Sequence, residues 1–160
     1  MVVRPIAQRR HSSNSMPVVE KSALVEYTPS QMFMLVDSVE RYAEFLPWCA
    51  GTEILQRTDT RTVATIRVNY HGIKFNFSTE NDKQPMSTMH IKLRDGPLKR
   101  MEGGWYFLPL GEKGCKVEFR LDYEFSNALL DKTLGPVFNR IASTFVESFV
   151  KRAGQIHGAV

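Results

Sequence analysis

Between residues 48 and 125 the chain alternates apolar and polar positions with a period of two. Ala64, Ile66, Val68 and Tyr70 are separated by Thr65, Arg67 and Asn69. Ile73, Phe75 and Phe77 enclose Lys74 and Asn76, and Met89, Ile91 and Leu93 enclose His90 and Lys92. The longest run sets Cys115, Val117, Phe119, Leu121, Tyr123 and Phe125 against Lys116, Glu118, Arg120, Asp122 and Glu124. One dry and one wet side is the pattern of an antiparallel sheet covered on a single face. Breaks at His71-Gly72, at Gln84-Pro85 and over residues 111–114 predict hairpins, so six or seven strands follow one another as a meander. Trp105 and Phe107 alternate with Tyr106 and Leu108, which makes that strand apolar on both sides. One of the two must face a ligand, a partner or a membrane.

The flanks switch to helical spacing. Residues 18–27 read as one more strand, and Thr28-Pro29-Ser30-Gln31 then has the form of a capping box with proline in the first turn. Phe33, Leu35 and Val36 give that helix its apolar side. Asp37 or Ser38 interrupts it and can cap a second short helix carrying Val39, Tyr42 and Phe45, which Pro47 ends. Near the C-terminus, Ser126 or Asn127 opens a short turn that Gly135-Pro136 breaks and restarts. From there Val137, Phe138, Ile141, Phe145, Phe149 and Ala153 recur at spacings of three and four, against Asn139, Arg140, Ser143, Ser148, Lys151 and Arg152. Some 20 residues of helix span roughly 30 Å, enough to cross a sheet.

The predicted fold is therefore α+β: a curved antiparallel meander around a long C-terminal helix, with two short N-terminal helices. A strongly twisted sheet curls, and one helix laid into the curl need not fill it. Space left there is lined by Phe, Leu, Ile and Met and suits an apolar ligand. A solid core satisfies the same periodicity equally well.

Composition narrows the function classes. At 160 residues, 42% hydrophobic and 24% charged, the chain has the makeup of one globular domain. No apolar run approaches the roughly 20 residues that cross a bilayer. Cys49 and Cys115 are too few for a disulfide framework and have no metal-ligand spacing, which points to a reducing compartment. The net charge of +4 comes largely from Arg4, Arg9 and Arg10, in a segment with no acid; the other 18 of the 21 basic side chains face 17 acidic ones. DNA is accordingly not an expected partner. Residues 1–15 have the makeup of a mitochondrial presequence, but Met16-Pro17 sits just before the first strand. The preferred division is a disordered extension over 1–16 and one domain over 17–158, in the bacterial cytoplasm or peripherally at its inner membrane; a mitochondrial matrix location is the weaker alternative. His11, His71, His90 and His157 are scattered, and no nucleophile–base or paired-carboxylate spacing is present. The expectation is a protein that is not an enzyme, with no catalytic residue, metal or cofactor.

Particular segments carry a family resemblance. Val36-Asp37-Ser38-Val39-Glu40-Arg41-Tyr42-Ala43-Glu44-Phe45-Leu46-Pro47-Trp48-Cys49 resembles the opening motif of the coenzyme Q-binding family in the START-like, polyketide-cyclase-type superfamily. Asp95-Gly96-Pro97-Leu98-Lys99 with Gly103-Gly104-Trp105-Tyr106-Phe107 resembles its second block. Cys115-Lys116-Val117-Glu118-Phe119 with Tyr123-Glu124-Phe125 resembles its third. The similarity runs from about residue 16 to 158, and is nearest to the bacterial branch, described as ribosome-association toxins. It implies a helix-grip fold with a hydrophobic tunnel. The implied function is non-catalytic carriage of ubiquinone or a similar isoprenoid lipid in support of respiration, with ubiquinone a bound ligand and not a catalytic cofactor. The alternative is a toxin that binds the large (50S) ribosomal subunit and blocks 70S formation.

The candidate ligand-binding residues follow. Phe45, Leu46, Pro47 and Trp48 form a corner that either gates the tunnel mouth and stacks on a quinone ring or plugs the sheet end. Leu98, after the Asp95-Gly96-Pro97 turn, either dips inward on a mobile lid or belongs to a plain turn. Trp105 and Phe107 line the sheet side. Val137, Phe138, Ile141 and Phe145 line the helix side while serving as core. For the ribosomal reading, Arg94, Lys99, Arg100 and Lys116 are the candidate phosphate contacts.

Overall fold

Burial along the last strand follows its sequence alternation residue by residue: from Cys115 to Phe125 every odd position is buried. The computed structural model describes Arg9–Arg10 and residues 17–158. The elements are β1 (Arg9–Arg10), β2 (Pro17–Val25), α1 (Pro29–Asp37), a 3-10 helix (Val39–Glu44), β3 (Cys49–Arg57), β4 (Arg61–Tyr70), β5 (Ile73–Gln84), β6 (Thr88–Asp95), β7 (Leu98–Leu110), β8 (Gly114–Phe125) and α2 (Ala128–His157). They form one antiparallel sheet in the order β1-β2-β8-β7-β6-β5-β4-β3. Strands β3 to β8 are the expected meander. β2 pairs with β8, and α1 with the 3-10 helix carries the chain from there to the opposite edge. α2 lies in the concave face and packs on β2, β8 and α1.

The start of α1 takes the predicted form. Gln31 N–H donates to Thr28 Oγ1 at 3.1 Å, Thr28 N–H donates to Gln31 Oε1 at 2.8 Å, and Pro29 occupies the first turn. Three local expectations need correction. Ser38 stands at the start of the second helix, but its side chain does not cap it: the hydroxyl donates back to the Met34 carbonyl at 2.7 Å and closes α1. The second helix is a 3-10 run that stops at Glu44, before Pro47, because that geometry is exhausted within a few residues. Gly135-Pro136 does not break α2, which continues for 30 residues from its Asn127 cap. Losing one internal hydrogen bond at proline costs about 3 kcal/mol; Leu130 and Leu134 before it and Val137 and Phe138 after it are held against the same core, and that packing keeps the helix continuous. At the N-terminus, Arg9–Arg10 pairs with Pro17 and Val18, where a disordered extension was expected. The rest of that expected segment, 1–8 and 11–16, lies outside the described residues.

Close approach of β7 and β8 explains one glycine. A Cβ on Gly103 would collide with the Arg120 carbonyl oxygen, so no side chain fits there. Farther across the sheet, β5 turns polar side chains inward. The Lys83 side chain is 3% exposed, and its Nζ donates to Asp37 Oδ1 at 3.1 Å and Oδ2 at 3.3 Å. This pair ties the end of α1 to the sheet across 46 residues of sequence.

Breaking a buried pair leaves a charge without compensation, at about 3–5 kcal/mol. Asp37→Asn is expected to lower the unfolding free energy by roughly that amount in chemical denaturation. Adding Lys83→Met should recover most of the loss; a double variant no more stable than the single one would contradict this account of the pair.

Candidate functional site

A cavity lies between α2 and the sheet. It is walled by Trp105 of β7 and by Phe138, Ile141 and Phe145 of α2, with Val39 and Tyr42 of the 3-10 helix at one end. Thr79 and Asn81 of β5 are its polar positions. Its volume is about 50 Å³. That is about a third of the roughly 150 Å³ of a cavity that takes up benzene, and is room for a few waters.

Aromatic packing keeps it narrow. Phe145 stacks on Trp48 at 5.6 Å and on Trp105 at 6.2 Å, and meets Phe119 at 5.5 Å. Phe138 meets Tyr123 at 4.7 Å and Phe77 at 5.7 Å. The Tyr42 hydroxyl donates to the Val36 carbonyl, and burial pushes its phenol well above the ordinary range. It therefore stays neutral and structural.

Of the sequence-predicted ligand residues, Trp105, Phe138, Ile141 and Phe145 line this cavity. The others do not. Leu46, Trp48, Phe107 and Val137 are buried in the core outside it, and Pro47 is exposed. Phe45 lies half-buried on a surface groove. At the corner Leu46 and Trp48 turn inward, Pro47 turns out, and Phe45 packs edge-on against Tyr42 and Phe149 at the rim of the groove. Leu98 is a fixed member of β7, paired with Phe125 and 5% exposed, and not a lid. The sequence reading missed Val39, Tyr42, Thr79 and Asn81. The signal for the β5 pair was parity: they share the face of Phe77.

The groove runs between α1, the 3-10 helix and the end of α2, with a volume of about 560 Å³. Met34 and Ile156 are half-exposed in it. Arg152 crosses its edge, with its guanidinium 5.0 Å from the Phe45 ring centre and Nη2 donating to Glu44 Oε1 at 2.6 Å. On the convex side of the sheet, Tyr106, Leu108 and Leu110 of β7 are exposed, which resolves that strand's two apolar sides: Trp105 and Phe107 face in. Three of the four basic side chains proposed for phosphate contact stand beside carboxylates. Arg94 is 3.7 Å from Glu80, Lys99 3.8 Å from Glu124 and Lys116 2.9 Å from Glu118. Among the described residues no His, Cys, Asp and Glu cluster could hold a metal ion, and no helix is long and apolar enough to cross a membrane.

With this geometry the chain belongs to the polyketide cyclase / dehydrase and lipid transport family, whose model matches residues 25–150. It is 43% identical to the ribosome association toxin RatA of Vibrio cholerae, over 89% of this chain and 99% of that one. It is 27% identical to a mitochondrial coenzyme Q-binding protein, COQ10 homolog B of Xenopus laevis, over 86% of this chain and 58% of that one. Among solved structures, the Zhui aromatase/cyclase of a Streptomyces species superposes with a TM-score of 0.78, covering 91% of this chain and 99% of that one at 18% identity. That likeness shows the START-like fold, a sheet gripping a long C-terminal helix.

Both thiols are buried. Burial pushes Cys115 from an ordinary value near 9 up to about 11, and Cys49 in the same direction. Each is protonated at neutral pH and a poor nucleophile. The unfolded chain releases the Cys115 proton near pH 9 while the folded chain holds it to about 11. Its contribution is thus complete below pH 9 and lost as pH rises toward 11. Denaturation midpoints measured from pH 8 to 10.5 should fall faster for the native sequence than for Cys115→Ala; parallel curves would contradict the shift.

Proposed function

We propose that this protein acts on ribosome association, binding the large ribosomal subunit and blocking its joining to the small one, in the bacterial cytoplasm. One observation carries the reading: a relative 43% identical over nearly its whole length is named a ribosome association toxin. The reading is non-catalytic; RatA and the coenzyme Q-binding relative carry the names of a toxin and a binding protein. The exposed apolar row Tyr106, Leu108 and Leu110 supplies surface for a partner. The neutralised cations of the convex face favour few phosphate contacts. With about two of them, affinity should fall only around tenfold between 50 and 200 mM salt, against the 10³–10⁵ of a broad basic surface.

In sucrose gradients the purified protein should sediment with free large subunits and deplete joined ribosomes when subunits are mixed. Absence from the large-subunit fraction at 50 mM salt would overturn the reading.

A second reading, carriage of a hydrophobic ligand such as ubiquinone, is favoured by the apolar cavity and by the coenzyme Q-binding relative. At about 50 Å³ the closed cavity is too small for a quinone ring as well as for a polyprenyl tail. Tail burial at about 0.8 kcal/mol per CH₂ requires α2 or the 3-10 helix to withdraw. Solvent extraction of protein from a respiring host, followed by mass spectrometry, should then return a ring-bearing lipid. Preparations free of any such lipid would contradict carriage while leaving the ribosomal reading intact.

A further inference from the structure

Cations on the outer face of the sheet mostly stand beside carboxylates: Arg61, Arg94, Lys99, Lys116 and Arg120 all do. One pair does not. Arg67 of β4 and Lys74 of β5 are exposed on that face, and among the described residues neither forms an ion pair or a side-chain hydrogen bond. The register sets Arg67 opposite Asn76 and Lys74 opposite Asn69, so the two cations are diagonal neighbours about 7–8 Å apart. Glu53, on β3 opposite Thr65, is the carboxylate nearest in register and makes no ion pair with Arg67. Arg67 is seated all the same. Its guanidinium lies across Gly51, where any Cβ would collide with Nη2. The other cations without partners are placed differently. Lys92 of β6 lies between Glu80 and Glu102 of the adjoining strands, and Lys132, Arg140 and Lys151 are strung along α2 with Asp131 and Glu147 among them.

We propose that the β4–β5 hairpin is the RNA-docking surface of this protein, with Arg67 and Lys74 on the phosphates of one strand of large-subunit ribosomal RNA. The proposal rests on the first reading above, that the protein binds the large subunit. Two like charges side by side repel each other, and a phosphodiester strand laid across both removes that repulsion while releasing its own counterions. The neighbouring groups suit RNA. Asn69 and Asn76 flank the cations with side-chain amides, which donate to phosphate or ribose oxygens. At the tip the exposed His71 ring meets Tyr70 edge-on, with ring centres 4.5 Å apart, and offers a face to an unpaired base. The tip has a fixed shape: His71 and Gly72 take left-handed backbone, at φ 49° and 86°, and Gly72 N–H donates to Asn69 Oδ1 at 3.2 Å. Docking there needs no refolding of the hairpin.

The test measures the affinity of the full-length protein for purified large subunits between 50 and 200 mM salt. Two phosphate contacts give a slope of about −1.4 to −1.8 in log affinity against log salt. Arg67→Gln and Lys74→Gln should each remove about half of that slope, and the double variant should bind roughly tenfold more weakly at 50 mM with almost no salt dependence. Arg67→Lys, which keeps the charge, should keep the slope, and Lys132→Gln on α2 should match the native sequence. Both cations are exposed, and thermal melts confirm that each variant folds. A double variant that keeps the native slope, or a native slope near zero, overturns the hairpin as the docking surface and leaves the ribosomal reading standing. Vesicles of phosphatidylglycerol and phosphatidylcholine serve as the second arm. Vesicle binding lost in the double variant, with subunit binding unchanged, assigns the pair to lipid phosphate and overturns the proposal. No binding of the native sequence to large subunits overturns the proposal and the ribosomal reading together.

Discussion

The contact on which the rest of the molecule depends is the seating of α2 in the concave face of the sheet. A sheet dry on one side is unstable until that side is covered, and α2 is the only described element long enough to do it. Phe138, Ile141, Phe145 and Phe149 are the means, each ring meeting rings from the strands or the 3-10 helix. Their burial also explains why α2 continues as a helix past Pro136. Local backbone preference is worth a few kcal/mol there, and a row of buried aromatic and aliphatic side chains outweighs it.

That grip is tight at one end and incomplete at the other. Where Phe145 meets Trp48, Trp105 and Phe119 the interior is filled by rings. Toward β5 the inward positions pass from Phe77 to Thr79, Asn81 and Lys83, and there the helix leaves space. Asp37 at the end of α1 neutralises Lys83 and closes that end. The cavity is thus small and asymmetric, with an apolar side from α2 and its polar positions, Thr79 and Asn81, on β5. Its size separates the two readings of function: surface recognition by a partner needs no opening of the grip, whereas a lipid with a long tail does.

Much of this was legible in the sequence. The alternation of β8, the capping box of Thr28 and Gln31, and the three- and four-residue spacing along α2 all express local rules that the fold obeys. What was not legible depended on residues far apart in the chain. Proline at 136 obeys packing ahead of helix propensity. The Asp37–Lys83 pair joins positions that no periodicity links. Leu46, Trp48, Leu98 and Phe107 are as apolar as the cavity residues, and only the path of the corner at 45–48 and the register of β7 put them in the core instead. Asn81 shared the parity of Phe77, but nothing local shows that its carbonyl would be left without a donor.

The central claim, that α2 closes the concave face down to one small cavity, is tested most directly by a crystal structure under xenon pressure. The account predicts a xenon site bounded by Trp105, Phe138, Ile141 and Phe145, with no continuous channel to solvent. An interior with no xenon site there, or an open tunnel threading the length of α2, would contradict it.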